Sequence, residues 1–188
     1  MRISSDIVAP KVATEVENHI WIYDTGSSSP IHPLTSVSDG LCGWPIWMPP
    51  DNREIVFFSN ISGTHFLKRI PADASDEAEV ISVKASRWSA FAPEACTPDG
   101  KVLLATAVSS EETSAKWDLV MINLDREGEV EFLLECKNNE GFIALSPDEK
   151  WLAYTSGEQG REEVFVKGFP DLKGKRRVST EGDREPVW

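Results

Sequence analysis

Four aspartates, Asp6, Asp51, Asp99 and Asp148, recur at intervals of 45, 48 and 49 residues. Carboxylates can serve as general acids and bases or hold a cation, but only where two or more converge on one point. The local sequence argues for another task. An apolar residue stands three or four positions before each (Ile3, Trp47, Cys96, Leu145), and proline directly precedes the last three (Pro50, Pro98, Pro147). Proline presets φ for the first position of a turn, and an aspartate side chain can accept hydrogen bonds from nearby backbone amides. The four aspartates are therefore expected to be structural turn residues, one per repeat, that do no chemistry.

Other reactive groups give no constellation. His19, His32 and His65 show neither H-x-H nor H-E-x-x-H spacing, so a histidine-based metal site is not expected. Cys42, Cys96 and Cys136 are widely separated and odd in number, the pattern of reduced, buried thiols rather than of a disulfide frame. There is no G-x-S-x-G elbow, no phosphate-cradling glycine loop and no calcium loop. The expectation is no catalytic residue, no metal, no cofactor and no enzymatic activity.

The elements that must position these residues follow from the period. Units of about 40 to 50 residues with several short strands each point to blades of a β-propeller. In Gly141 to Thr180, an apolar run precedes the Pro147-Asp148-Glu149 turn. A second strand is expected over Trp151 to Thr155, a third over Glu163 to Lys167, and a polar fourth over Arg176 to Thr180. Such a gradient suits inner strands that line a channel and an outer edge protected by charge. The basic cluster Lys173, Lys175, Arg176 and Arg177 is read as that edge.

The fold class is thus all-β, a propeller of about four four-stranded antiparallel blades in one module. The repeats fall at approximately 1–40, 41–84, 85–138 and 139–184. Glu185-Pro186-Val187-Trp188 opens a further blade in the same phase. Two arrangements stand: a ring closed by strands from both chain ends, or an open arc of a larger ring, which would favour a partner or a homo-oligomer.

The phrases WMPPDN (Trp47 to Asn52), CTPDGK (Cys96 to Lys101), LSPDEKWLAY (Leu145 to Tyr154) and IWIYDTG with PLTS carry a resemblance. They resemble the TolB-like, WD-repeat-like propeller repeats with a Trp-Ser-Pro-Asp-Gly motif. The end, VFVKGFP through GKRRVSTEGDREPVW, is similar to propellers attached to bacterial serine/threonine protein kinases. Pro49-Pro50 adds a residue, Glu149 replaces the glycine, and Glu94-Ala95 lengthens the third inner strand. The resemblance implies the fold and says little about ligand, because such propellers serve many functions. The kinase signature set is absent from this chain.

Of seven tryptophans, Trp47, Trp151 and Trp188 are expected in the core. Trp44 and Trp88, with Phe142 at a comparable place, stand near the loops that lead into each blade. They are the candidate ligand-binding residues at the channel mouth, with packing between blades as the alternative. The formal net charge of −12 disfavours nucleic acid and anionic membranes as partners. No apolar stretch approaches the ~20 residues that span a bilayer, and no signal peptide is apparent. The compartment is left open: cytoplasmic as given, or periplasmic or extracellular within a longer protein. The expected function is a non-catalytic module binding a protein or small ligand through channel-mouth loops. The alternative is an accessory sensor or gating propeller of a receptor kinase or a prolyl-oligopeptidase-like hydrolase.

Overall fold

The structure, a computed structural model, describes residues 3–4, 11–24, 32–110, 117–134 and 138–188. Asp6 and Cys136 lie outside the described residues.

Strand-forming runs separated by turn chemistry build four antiparallel sheets of four strands. Blade 1 holds β1 (Ile3–Ser4), β2 (Lys11–Val16), β3 (His19–Asp24) and β4 (His32–Pro33). Blade 2 holds β5 (Leu41–Trp47), β6 (Glu54–Ile61), β7 (Thr64–Pro71) and β8 (Glu79–Val80). Blade 3 holds β9 (Trp88–Cys96), β10 (Val102–Ser109), β11 (Trp117–Asn123) and β12 (Glu129–Leu134). Blade 4 holds β13 (Glu140–Leu145), β14 (Trp151–Ser156), β15 (Glu163–Gly168) and β16 (Arg176–Arg177). Strand order follows chain order within every blade. Among the described residues the one helical element is a 3-10 turn at Val37–Asp39, and no helix is long and apolar enough to cross a membrane.

Because side chains alternate across a strand, each blade has two faces, and adjoining blades share a core. Ala13, Ile20, Ile22 and Leu34 of blade 1 meet Trp47, Ile55, Phe57 and Ile70 of blade 2. Val56 and Leu67 of blade 2 meet Leu103, Ala105 and Ile122 of blade 3. Leu104 and Leu119 of blade 3 meet Leu152, Tyr154 and Phe165 of blade 4. Each blade thus has a forward face toward the next blade and a rear face toward the previous one. Among the described residues blade 4 forms no packed interface with blade 1. Among the described residues, 185–188 join no strand of the blade 1 sheet.

The Asp hairpins share one design. At β9–β10, Asp99 Oδ1 accepts from Thr97 Oγ1 at 2.7 Å and from the Lys101 amide at 3.1 Å, with Gly100 left-handed at φ 74°. At β13–β14, Asp148 Oδ1 accepts from Ser146 Oγ at 2.7 Å and the Lys150 amide at 3.2 Å, with Glu149 at φ 55°. At β5–β6 the Arg53 amide donates to Asp51 Oδ1 at 3.2 Å, and Asn52 takes the left-handed position. Asp73 and Asp171 accept in the same way from the Ser75 and Lys173 amides, in turns between third and fourth strands. Asp171 stands in a Pro170-Asp171 phrase of its own with left-handed Leu172 after it, whereas Asp73 follows Ala72 and no Pro-Asp phrase marks it.

Two tryptophans depart from expectation. Trp47 is 5% exposed and lies in the core between blades 1 and 2, but Trp151 is 47% exposed and Trp188 54%. Trp151 begins β14, where alternation turns its side chain away from buried Leu152. Trp188 lies on the forward face of blade 4, where no other described sheet packs.

Candidate functional site at the channel mouth

Each blade presents two ends. The Asp hairpins lie at the turn end. At the opposite, crossover end the chain passes from one blade's outer strand into the next blade's inner strand. The crossovers are 36–40, 84–87 and 138–139, and they sit beside the hairpins 17–18, 62–63 and 157–162.

Trp44, Trp88 and Phe142 occupy one inner strand each, in blades 2, 3 and 4. Trp44 and Phe142 are structurally equivalent: both have left-handed backbones (φ 51° and 54°), at shifts of strand register between Gly43 and Ile46 and between Gly141 and Ala144. A bulge of this kind re-aims the side chain it carries. Trp44, 38% exposed, stands edge-on to Phe58 with centroids 5.7 Å apart. Phe58 in turn packs on His65 at 5.4 Å, and His65 Nδ1 lies 3.3 Å from the Ser89 carbonyl oxygen of blade 3. An exposed indole is therefore held on an aromatic stack tied to the neighbouring blade. Phe142 is half-buried.

Trp88 has a different setting. Its Nε1 donates to Asp118 Oδ2 at 3.2 Å, its ring packs on Phe132 at 5.0 Å, and the Arg87 guanidinium lies over Phe132 at 4.8 Å. These contacts hold Trp88 within blade 3. Trp117, passed over in the sequence because it stands outside the repeat phrase, is 40% exposed at the start of β11. A Cβ on Gly141 would come 3.7 Å from its ring, and its amide donates to Asn139 Oδ1 at 3.3 Å.

Polar groups at this end mostly brace the blades. Glu94, the extra residue in β9, is skipped in the pairing with β10. Its carboxylate accepts from Thr106 Oγ1 at 2.8 Å and from the Ile143 amide at 2.7 Å. Lys68 Nζ lies 3.1 Å from Asp39 Oδ1 in a largely buried ion pair. Burial opposes ionisation of Asp39, but the Ser36 amide and Lys68 outweigh it and hold its carboxyl below the usual range. Glu163 has no exposed surface; Ser179 Oγ and Arg161 Nε bind its two oxygens at 2.5 and 2.7 Å and lower its pKa. In the basic cluster, Lys175 pairs with Glu158 and lies over the Phe165 ring, and Arg177 donates to Gln159.

A polar groove of about 450 Å³ lies between Asn138, Asn139 and the 157–162 hairpin. A second, of about 530 Å³, runs along the forward face of blade 4 beneath residues 183–188. No group of three or more metal-ligating side chains occurs among the described residues. Of the two described thiols, Cys42 is buried with its pKa raised, and burial pushes Cys96 up to about 12. Neither is set up as a nucleophile, which must ionise near neutral pH.

No protein-family model matches the sequence, and no curated protein sequence matches it. Solved structures do. A TolB candidate from Agrobacterium tumefaciens superposes with TM-score 0.78 at 13% identity, covering 98% of this chain and 65% of that one. TolB from Acinetobacter baumannii gives 0.67 at 19% identity, covering 96% and 41%. A gluconolactonase from Xanthomonas campestris gives 0.66 at 13% identity, covering 91% and 59%. The chain spans less than two thirds of each. Its fold is that of a TolB-like β-propeller, a scaffold found in the TolB structures and in enzymes alike.

Proposed function

We propose that this chain is a non-catalytic propeller module that binds a protein or small ligand at the crossover end of its blades. The observation that carries the reading is Trp44: a large apolar ring kept partly in water by a left-handed bulge and braced by Phe58 and His65. Leaving part of such a ring in water forgoes some of the free energy that complete burial would gain, and aromatic anchors of this kind are enriched at binding hot spots. Phe142 offers the equivalent position one blade away from Trp88, and Trp117 adds a second exposed indole beside it. Trp88 serves mainly to order blade 3.

The test is a thermal-shift screen of the chain against panels of metabolites and short peptides. Ligands that raise the melting temperature are then measured again with Trp44→Ala and with Trp151→Ala, whose indole lies at the turn end. The reading requires that Trp44→Ala lose the shift and Trp151→Ala keep it. Equal effects of the two variants, or chemical turnover of the ligand, would reject it.

A further inference from the structure

Among the described residues the blades end on outer strands of unequal length. β4, β8 and β16 have two residues each, whereas β12 runs for six, Glu129–Leu134. An outer strand leaves one row of backbone N–H and C=O groups unpaired, and short length, proline or charge keeps other strands from adding to it. β4 contains Pro33, and β16 is Arg176–Arg177. β12 is neither short nor interrupted by proline.

This chain already lays a segment of its own on that edge. After β8 it runs beside the start of β12, where Lys84 bridges Glu129 in parallel and its amide donates to the Gly128 carbonyl at 2.9 Å. Gly128 permits the close approach: a Cβ there would stand 2.0 Å from the Ser82 carbonyl oxygen. Lys84 Nζ also pairs with the Glu127 carboxylate. The segment then leaves the edge, and the Ser110 amide, just past β10, donates to the Arg87 carbonyl at 2.9 Å. Beyond it, no backbone group of residues 130–134 has a hydrogen-bond partner outside its own sheet among the described residues.

Along an antiparallel strand both backbone groups of every second residue lie on the same edge. The Gly128 carbonyl points to Lys84, so Val130, Phe132 and Leu134 present theirs outward. Side chains divide by face. Val130 packs into the core shared by blades 2 and 3, and Phe132 lies on the same side against Trp88. Glu129 and Glu131 are exposed on the other face, and neither carboxylate has an ion-pair partner among the described residues.

We propose that the outer edge of β12 is a docking site for an extended segment of another protein, which adds to blade 3 as a fifth strand. The edge defines the partner's chemistry: lysine or arginine opposite Glu129 and Glu131, alternating with apolar residues on the side of Val130 and Phe132. In such strand addition main-chain hydrogen bonds supply affinity and alternate side chains supply selectivity. Opposite charges directly across two strands stabilise the pairing, and like charges oppose it. The formal net charge of −12 draws a basic segment toward the chain. The edge lies on the outer strand of blade 3, away from Trp44 on the inner strand of blade 2.

The probe is an octapeptide of alternating arginine and valine, titrated against the whole chain at physiological ionic strength. Binding is expected to slow hydrogen exchange at the amides of Val130, Phe132 and Leu134. Methylating the peptide's backbone nitrogens keeps every charge and side chain but removes the donors, and is expected to weaken binding roughly tenfold or more. Glu131→Lys is expected to weaken it roughly three- to tenfold. The same reversal at exposed Glu149, in the β13–β14 turn, leaves it nearly unchanged. A peptide of equal composition with its arginines and valines in two blocks that binds as well, or a methylated peptide that does, would reveal charge attraction alone and overturn the proposal. So would absence of binding, or protection confined to other strands. Self-association of the free chain that protects the same amides would assign the edge to a second copy and overturn it too.

Discussion

The backbone amide of Ile143 donates to Glu94 Oε2 at 2.7 Å, tying the inner strand of blade 4 to that of blade 3. The other carboxylate oxygen accepts from Thr106 Oγ1, so one side chain serves two strands of its own blade and one of the next. The extra residue in β9 is what allows this. Skipped in the ladder with β10, it points where a regular strand residue would not.

Glu94→Ala is accordingly expected to leave the Ile143 amide and the Thr106 hydroxyl without their acceptor, at a cost of about 1–3 kcal/mol. Glu94→Gln keeps one good acceptor and is expected to lose less. Urea denaturation of the three proteins checks the order. Equal stability of Glu94→Ala and the parent would refute the bracing role.

Trp47 and Trp151 separate the two meanings of a tryptophan in this repeat. Trp47→Ala empties a core position between two sheets and is expected to cost ~3 to 5 kcal/mol. Trp151→Ala removes an exposed ring and is expected to cost less than about 1 kcal/mol. Chemical denaturation curves measure both, and a reversed order would contradict the burial described above.

Turn aspartates set the response to acid. Hydrogen bonds from Thr97 and the Lys101 amide hold Asp99 below the ordinary aspartate value of 3.8, those from Ser146 and the Lys150 amide do so for Asp148, and the Lys173 amide and ammonium do so for Asp171. A group whose folded pKa is depressed contributes stability that is present above the unfolded pKa and lost as pH falls through the folded one. Stability is therefore expected to hold from neutral pH to about pH 4 and to decline below it. Asp99→Asn, which keeps an acceptor but cannot titrate, should flatten that decline. Thermal melts between pH 2 and 6 provide the readout, and a variant that tracks the parent throughout would exclude the turn carboxylate as a source.

The left-handed turn positions predict opposite signs. A Cβ on Gly100 would stand 2.4 Å from the Pro49 carbonyl oxygen of the neighbouring hairpin, and its φ is 74°. Gly100→Ala is expected to cost about 1–2 kcal/mol from backbone strain alone, more with the clash. Glu149 holds the same position as a strained non-glycine residue, exposed to solvent. Glu149→Gly is expected to gain about 0.5–1 kcal/mol. Melting temperatures of the two variants decide the matter.

Much of this protein follows from local rules visible in the chain. The Pro-Asp phrases at 50–51, 98–99 and 147–148, with alternating runs between them, dictate hairpins and a repeat, and a repeat of that length stacks as blades. These features depend on residues a few positions apart, so the sequence alone determined them. Other properties depend on what lies across a gap from each residue. Trp47, Trp151 and Trp188 all stand in strand positions of the repeat, yet one is sealed and two are exposed, because burial needs a neighbouring sheet on the far side. Trp44 lies inside β5 and Trp88 opens β9, but a left-handed bulge turns the first toward solvent, while Asp118 and Phe132 hold the other inside its blade. The bridge from Glu94 to Ile143 spans 49 residues, and no local signal announces it. The tertiary structure decided these.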